Sequence, residues 1–186
     1  MTRVTDASCT RRAVRGARVA AVASSVLSSG VLFGTVASLT PSKRDFDART
    51  YTTVQQATIR NLQPVMGVLL PTSVLTNLAV LLTADRADTG GRRNAAVGLL
   101  GPLVALLLTA RWALPVNARV MTWHPDHPSA DWTAHRDRWE TVHLVRTATA
   151  LVGLAGTLAA AGRALTSHRQ PERLRRSCPQ GRRGAG

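Results

Sequence analysis

Four stretches free of charge, at residues 19–39, 63–84, 94–110 and 147–162, constrain this chain more than any other feature. A helix needs about 20 apolar residues to cross roughly 30 Å of hydrocarbon. The first two runs have that length, and the third reaches it with a short extension past Arg111. The fourth, rich in Ala, Gly and Thr, reaches it when His143 to Arg146 stand at the membrane boundary. Lipid admits only segments that satisfy their own backbone groups, so such runs predict helices. For the fourth run taken alone, a buried helix of a soluble domain is the alternative. Four in 186 residues predict an all-α fold, an integral membrane four-helix bundle.

The charges then orient the bundle. The chain carries 24 Lys+Arg against 10 Asp+Glu, yet 45% of it is hydrophobic and only 4% aromatic. The basic residues flank the apolar runs and no aromatics interleave with them to stack bases, which argues against a nucleic-acid partner. Arg3, Arg11, Arg12, Arg15 and Arg18 precede the first run, Arg86, Arg92 and Arg93 separate the second from the third, and Arg163, Arg169, Arg173, Arg175, Arg176, Arg182 and Arg183 follow the fourth. These fifteen face seven on the other side, namely Lys43, Arg44, Arg49, Arg60, Arg119, Arg136 and Arg138. Cytoplasmic flanks collect Lys and Arg, so both termini are expected in the cytoplasm, in a multi-pass protein of the cell membrane.

Residues 1–18 and 164–186 read as basic tails, the latter disordered, with too little apolar surface to fold alone and suited to anionic lipid headgroups. Between them lies the bundle, 19–163, with spans near 19–39, 63–84, 94–114 and 143–162. The first run is longer than the core of a usual signal peptide, and Arg11-Arg12 lacks the apolar residues that follow a twin-arginine export pair. Its Gly30 and Gly34, four apart, have the spacing of small residues that let a neighbouring helix approach. Cys9 and Cys178 lie in the tails and read as free thiols, without the spacing of a disulfide framework or zinc site.

The outer connections are more than loops. Residues 45–61 have helical composition, and 132–143 run into the fourth span, its start marked by Pro125, Pro128 and the capping candidates Ser129 and Asp131. Helices 2 and 4 are therefore expected to extend beyond the outer membrane face. In the up-and-down order Arg111, late in the third helix, and Arg146, early in the fourth, both fall at the outer end, with Asn117, Asn61 and His143, whereas Asn77 belongs to the inner half. His135, Trp139, His143 and Arg146 follow at intervals of four, four and three and share one helix face. The bland alternative is that a His and an Arg near a helix end snorkel to the interface, and that Trp139 is an interfacial anchor like Trp123 and Trp132. His124-Pro125-Asp126-His127 has metal-ligand residue types in a Pro-broken loop without fixed geometry, and reads as solvated loop. Arg136, Asp137, Arg138 and Glu140 alternate in sign, suiting an intrahelical pair such as Arg136 with Glu140. No phosphate loop, nucleophile elbow or HExxH occurs.

Leu114-Pro115-Val116-Asn117, followed by a Pro-containing loop and then Arg136-Asp137-Arg138-Trp139-Glu140-Thr141-Val142-His143-Leu144-Val145-Arg146-Thr147, resembles the anthrone oxygenase-like family of small four-helix membrane proteins. Its pattern is a Pro-x-Asn closing the third helix and an Arg-Trp…His-x-x-Arg-Thr opening the fourth. The resemblance spans about residues 19–163. In the N-terminal half Gln55, Gln56 and Pro64 fit it loosely. It implies oxidation of an anthrone, a fused tricyclic phenolic ketone, to an anthraquinone by molecular oxygen, with no metal or flavin cofactor. Such a reaction asks for a base, donors for an oxyanion and a dry apolar pocket. On this sequence the resemblance and the spacing together make His143 the candidate base, Arg146 the holder of the enolate oxygen and Asn117 a donor to a second carbonyl or phenol. Trp139, Arg111 and Asn61 are the candidate substrate contacts.

The expected partners are a hydrophobic small-molecule substrate and membrane lipids, with a homo-oligomer left open. The alternative from another class is a non-catalytic scaffold or lipid-binding membrane protein. A transporter is disfavoured, because four helices provide no inverted pair of broken helices around a midplane site.

Overall fold

The computed structural model describes the backbone of residues 3–177 and the side chains of residues 12–166. The thiols of Cys9 and Cys178 lie outside the described residues. The chain runs as α1 (Arg3–Ser42), a 3-10 turn (Lys43–Asp45), α2 (Ala48–Leu82), α3 (Thr89–Leu108), a π turn (Thr109–Ala113), α4 (Leu114–Val120) and α5 (Trp132–Ser177). The π turn joins α3 to α4 in one rod, so four helical spans result, and among the described residues there is no strand, only an isolated bridge between His124 and His127. Arg12–Ser42, Ala48–Leu82, Thr89–Val120 and Trp132–Thr166 are each long and apolar enough to cross a membrane. That is the make-up of a multi-pass membrane protein.

The helices are longer than the apolar runs. α2 starts at Ala48, well before the run at 63, and α5 at Trp132, before the run at 147. Here aspartates mark the starts. The Asp47 carboxylate accepts from the Thr50 amide (2.7 Å) and that of Asp88 from the Gly91 amide (2.9 Å), each satisfying a first-turn donor of α2 or α3. Those amides hold both carboxyls below the usual range. Asp131, just before α5, accepts from the Ser129 hydroxyl and lies 3.1 Å from the His135 ring. The basic tails differ from the compositional reading: α1 is helical from Arg3, and α5 continues to Ser177. Extending a formed helix through Ala and Arg needs no new nucleus.

α1 packs on α2 and α5, α3 on α2 and α5, so the spans close into a ring. One end, here the upper, carries the connections 43–47 and 121–131, and the lower carries 83–88, the start of α1 and the end of α5. Large apolar side chains such as Leu27, Phe33, Val68, Leu75, Leu107 and Val152 point outward, as lipid-facing residues do.

The core is built largely of small and hydroxylic residues. α3 and α5 meet through glycines: a Cβ on Gly101 would fall 2.4 Å from the Gly153 Cα, and one on Gly156 2.7 Å from the Gly98 nitrogen. Gly30 and Gly34 make no such contact, since a Cβ on either meets nothing within 4 Å. The face of α1 that turns inward bears Ser24, Ser25, Ser28 and Ser29 instead, all buried. Asn77 joins three spans in the lower half, donating to Ser25 Oγ (3.0 Å) and accepting from Thr157 Oγ1 (2.8 Å). Every buried amide and hydroxyl of that group finds a partner, the condition for polar residues in an apolar surround.

Candidate active site

All four spans contribute to a cavity of about 420 Å³ in the upper half. α1 presents Leu32 and Thr35, α2 Ile59 and Met66, the third span Leu106 and Thr109, and α5 Trp139, His143 and Arg146. A volume of a few hundred cubic ångströms suits one small ligand.

The polar wall is a chain of hydrogen bonds on the α5 side. Trp139 Nε1 donates to Asn117 Oδ1 (2.9 Å), and Asn117 Nδ2 donates to Gln63 Oε1 (3.1 Å). The rings of Trp139 and His143, one turn apart, lie 4.7 Å between centroids. Arg146 Nε donates to His143 Nδ1 (3.0 Å), and its Nη1 reaches Thr109 Oγ1 at 3.4 Å. The snorkelling alternative does not describe these side chains, since His143 is 2% and Arg146 9% exposed. Ala150 and Gly153 carry the same face of α5 inward, where Ala150 accepts from Ser29 and Gly153 abuts α3.

Arg146 meets no carboxylate at ion-pair distance among the described residues, although a buried charge is costly unless paired. The Trp139 ring lies 5.8 Å from its guanidinium carbon. A cation held in an apolar wall without an anion is ready to receive one. An arginine only donates, so its bond to His143 Nδ1 assigns the ring proton to Nε2. That Nε2 is buried without a full hydrogen bond, the Leu32 backbone acting on the ring as a weak acceptor. His143 thus offers the cavity a donor, and the lone pair that a base needs is engaged by Arg146.

Asn117, His143, Arg146 and Trp139 are brought together. Asn61 and Arg111 are not. Both are exposed and border none of the cavity. Asn61 stands on another face of α2 than Ile59, Leu62 and Met66, and Arg111 lies six residues from Asn117, far from a whole number of helical turns. Arg111 packs instead against Trp112, 5.5 Å from its ring. The helix pair Arg136 with Glu140 is also absent: Arg136 bonds Asp137 (2.9 Å), and Glu140 Oε1 is buried without a partner. His124 and His127 have rings 5.8 Å apart, and among the described residues no three His, Cys, Asp or Glu gather to hold a metal.

Lys43 is the residue the charge count misjudged. Placed by sequence in the outer loop, it is fully buried, donates to Gln55 Oε1 (2.7 Å) and sits 3.9 Å above the Trp139 ring. A 3-10 turn folds it back over the bundle, where the indole face and an amide oxygen replace water. Burial lowers its pKa to about 8, partly offset by Glu140. The only hint in sequence was that every other basic residue is arginine. Gln63 and Thr109, which brace Asn117 and Arg146, carried no separable signal.

Residues 62–156, about half of the chain, match the family described as anthrone oxygenase. The chain belongs to the anthrone oxygenase family. The matched segment includes Asn117, Trp139, His143 and Arg146, so the anthrone oxygenase match and the polar wall fall on the same stretch. No curated protein and no solved structure matches this anthrone oxygenase family member.

Proposed function

We propose that the protein is a membrane oxygenase that converts an anthrone, or a similar flat phenolic ketone, to the quinone with molecular oxygen, in the cell membrane with both termini cytoplasmic. The observation that carries this reading is the buried, carboxylate-free Arg146 in the wall of an apolar cavity. Oxidation of such a substrate passes through an enolate, the one anion that an apolar fused-ring molecule readily forms. Arg146 receives the enolate oxygen and the His143 Nε2–H donates to it. Both are preorganised where charge develops, and a water-poor site strengthens their effect.

The chemistry balances without a further reactant. A benzylic C–H proton leaves to a base, and the enolate gives its electron pair to oxygen to form a C–O bond, as a peroxide anion that takes up a proton. Loss of the second C–H proton with cleavage of the O–O bond leaves a carbonyl and releases water. One oxygen atom stays in the quinone. For His143 to be the base, Arg146 must first turn from Nδ1 to the substrate carbonyl, so that substrate binding unmasks the base before the enolate forms. Asn117, already bonded to Trp139 and Gln63, fixes the indole against which the rings lie.

The test is turnover by the full chain, purified in detergent, with a panel of anthrones and hydroquinones. Quinone formation and oxygen uptake in equal amounts, well above the protein-free rate, support the reading. Tight binding of a lipid without turnover on any of the panel would replace it with the lipid-binding alternative.

A further inference from the structure

The walls of the cavity are not equally closed. Of its α1 and α5 residues, Leu32, Thr35, Trp139, His143 and Arg146 are buried and Val31 is half-buried. On α2 and the third span the lining residues Gln63, Pro64, Gly67, Ala110 and Leu114 are exposed. The cavity therefore opens sideways, between α2 and the third span. Its top is roofed: Gln56 Nε2 donates to the carbonyls of Val120 (3.0 Å) and Trp123 (2.8 Å), tying α2 to the end of α4, and Lys43 lies buried over Trp139.

α2 is shaped for such an opening. Pro64, Gly67 and Pro71 follow at intervals of three and four, so they share the face that borders the cavity. Neither proline has an amide to return to the preceding turn, which loosens the helix there. Gly67 has no side chain, and a Cβ built on it meets nothing within 4 Å. Any larger residue at that position would project into the gap.

We infer that an apolar ligand reaches the cavity from the bilayer through the gap between α2 and the third span, and that Gly67 sets the width of this portal. The inference rests on reading the cavity as a substrate site and adds the route and its gate. Flat fused-ring molecules concentrate in lipid because their apolar surface leaves water. A lateral opening meets them where they are, whereas an opening at the roof would lead them back through water.

The experiment uses the full chain in liposomes, with Cys9→Ser and Cys178→Ser, and Leu106→Cys as a reporter inside the cavity. Labelling rates are measured with a lipid-soluble pyrene maleimide and with a charged methanethiosulfonate present on both sides. The lipid-soluble reagent should react at least tenfold faster. Adding Gly67→Trp should slow it at least tenfold, while Gly30→Trp, on an equally open glycine away from the cavity, should change it less than twofold. Equal rates for the two reagents, no reaction with the lipid-soluble one while the denatured protein labels fully, or no effect of Gly67→Trp would each overturn the portal. Labelling needs no turnover, so absence of oxygen uptake with this pattern intact would count against the catalytic reading alone.

Discussion

His143 and Arg146 are a single device, because the Nε–H of one occupies the Nδ1 of the other at 3.0 Å. Removing the guanidinium with Arg146→Ala should lower turnover by about 10²–10³, the usual loss for an oxyanion donor. Arg146→Lys should recover little, since an ammonium lacks the planar fork that grips the oxyanion. His143→Gln separates the two roles of the ring. Glutamine keeps a donor and cannot act as a base, so a rate as low as that of His143→Ala identifies proton abstraction, and a partial rate identifies donation. Lys43 makes a prediction about stability. Its folded pKa of about 8 lies below the ordinary 10.5, so the folded state releases its proton first, and stability should rise as pH climbs from about 8 towards 10.5. The melting temperature of the wild type minus that of Lys43→Met, followed in detergent across that range, should increase with pH. A flat difference would mean that Lys43 is not buried as a cation.

At the level of elements, the spans were legible because charge-free length is what lipid demands, and the shared face of Trp139, His143 and Arg146 was legible because helical spacing fixes it. Which small residues carry the packing was legible only in part: Ala150 and Gly153 continue the inward face of His143 and Arg146, and both are buried. Gly30 and Gly34 have the right separation, yet they face outward, and the close approach belongs to Gly98, Gly101, Gly153 and Gly156. Spacing identifies a stripe and leaves open the side of the bundle to which it turns. The π turn at Thr109–Ala113 was equally silent, as was the turn that folds Lys43 inward. Those depend on tertiary contacts that no local pattern encodes. Gly101→Ala should therefore destabilise the protein by about 1–3 kcal/mol, because backbone on both helices must shift to admit the methyl group. Gly30→Ala should be neutral or slightly stabilising. Thermal unfolding of the two variants in one detergent compares them directly.

For the whole molecule, the fifteen-to-seven distribution of basic residues predicts that the cavity end faces outward. A cysteine at Ser129 should react with an impermeant reagent in intact cells, and one at Gly90 should be protected. The reverse pattern would invert the orientation and leave the cavity where it is within the bundle. That cavity is where the family, the polar wall and the lipid-facing surface meet: an apolar chamber within one bundle, lined by a cation without an anion. The most direct test of that account is oxygen consumption by the purified full chain with an anthrone, wild type against Arg146→Ala at matched folding. The account predicts one oxygen consumed per quinone formed, and at least a hundredfold lower rate in the variant. Equal rates in the two proteins would contradict it.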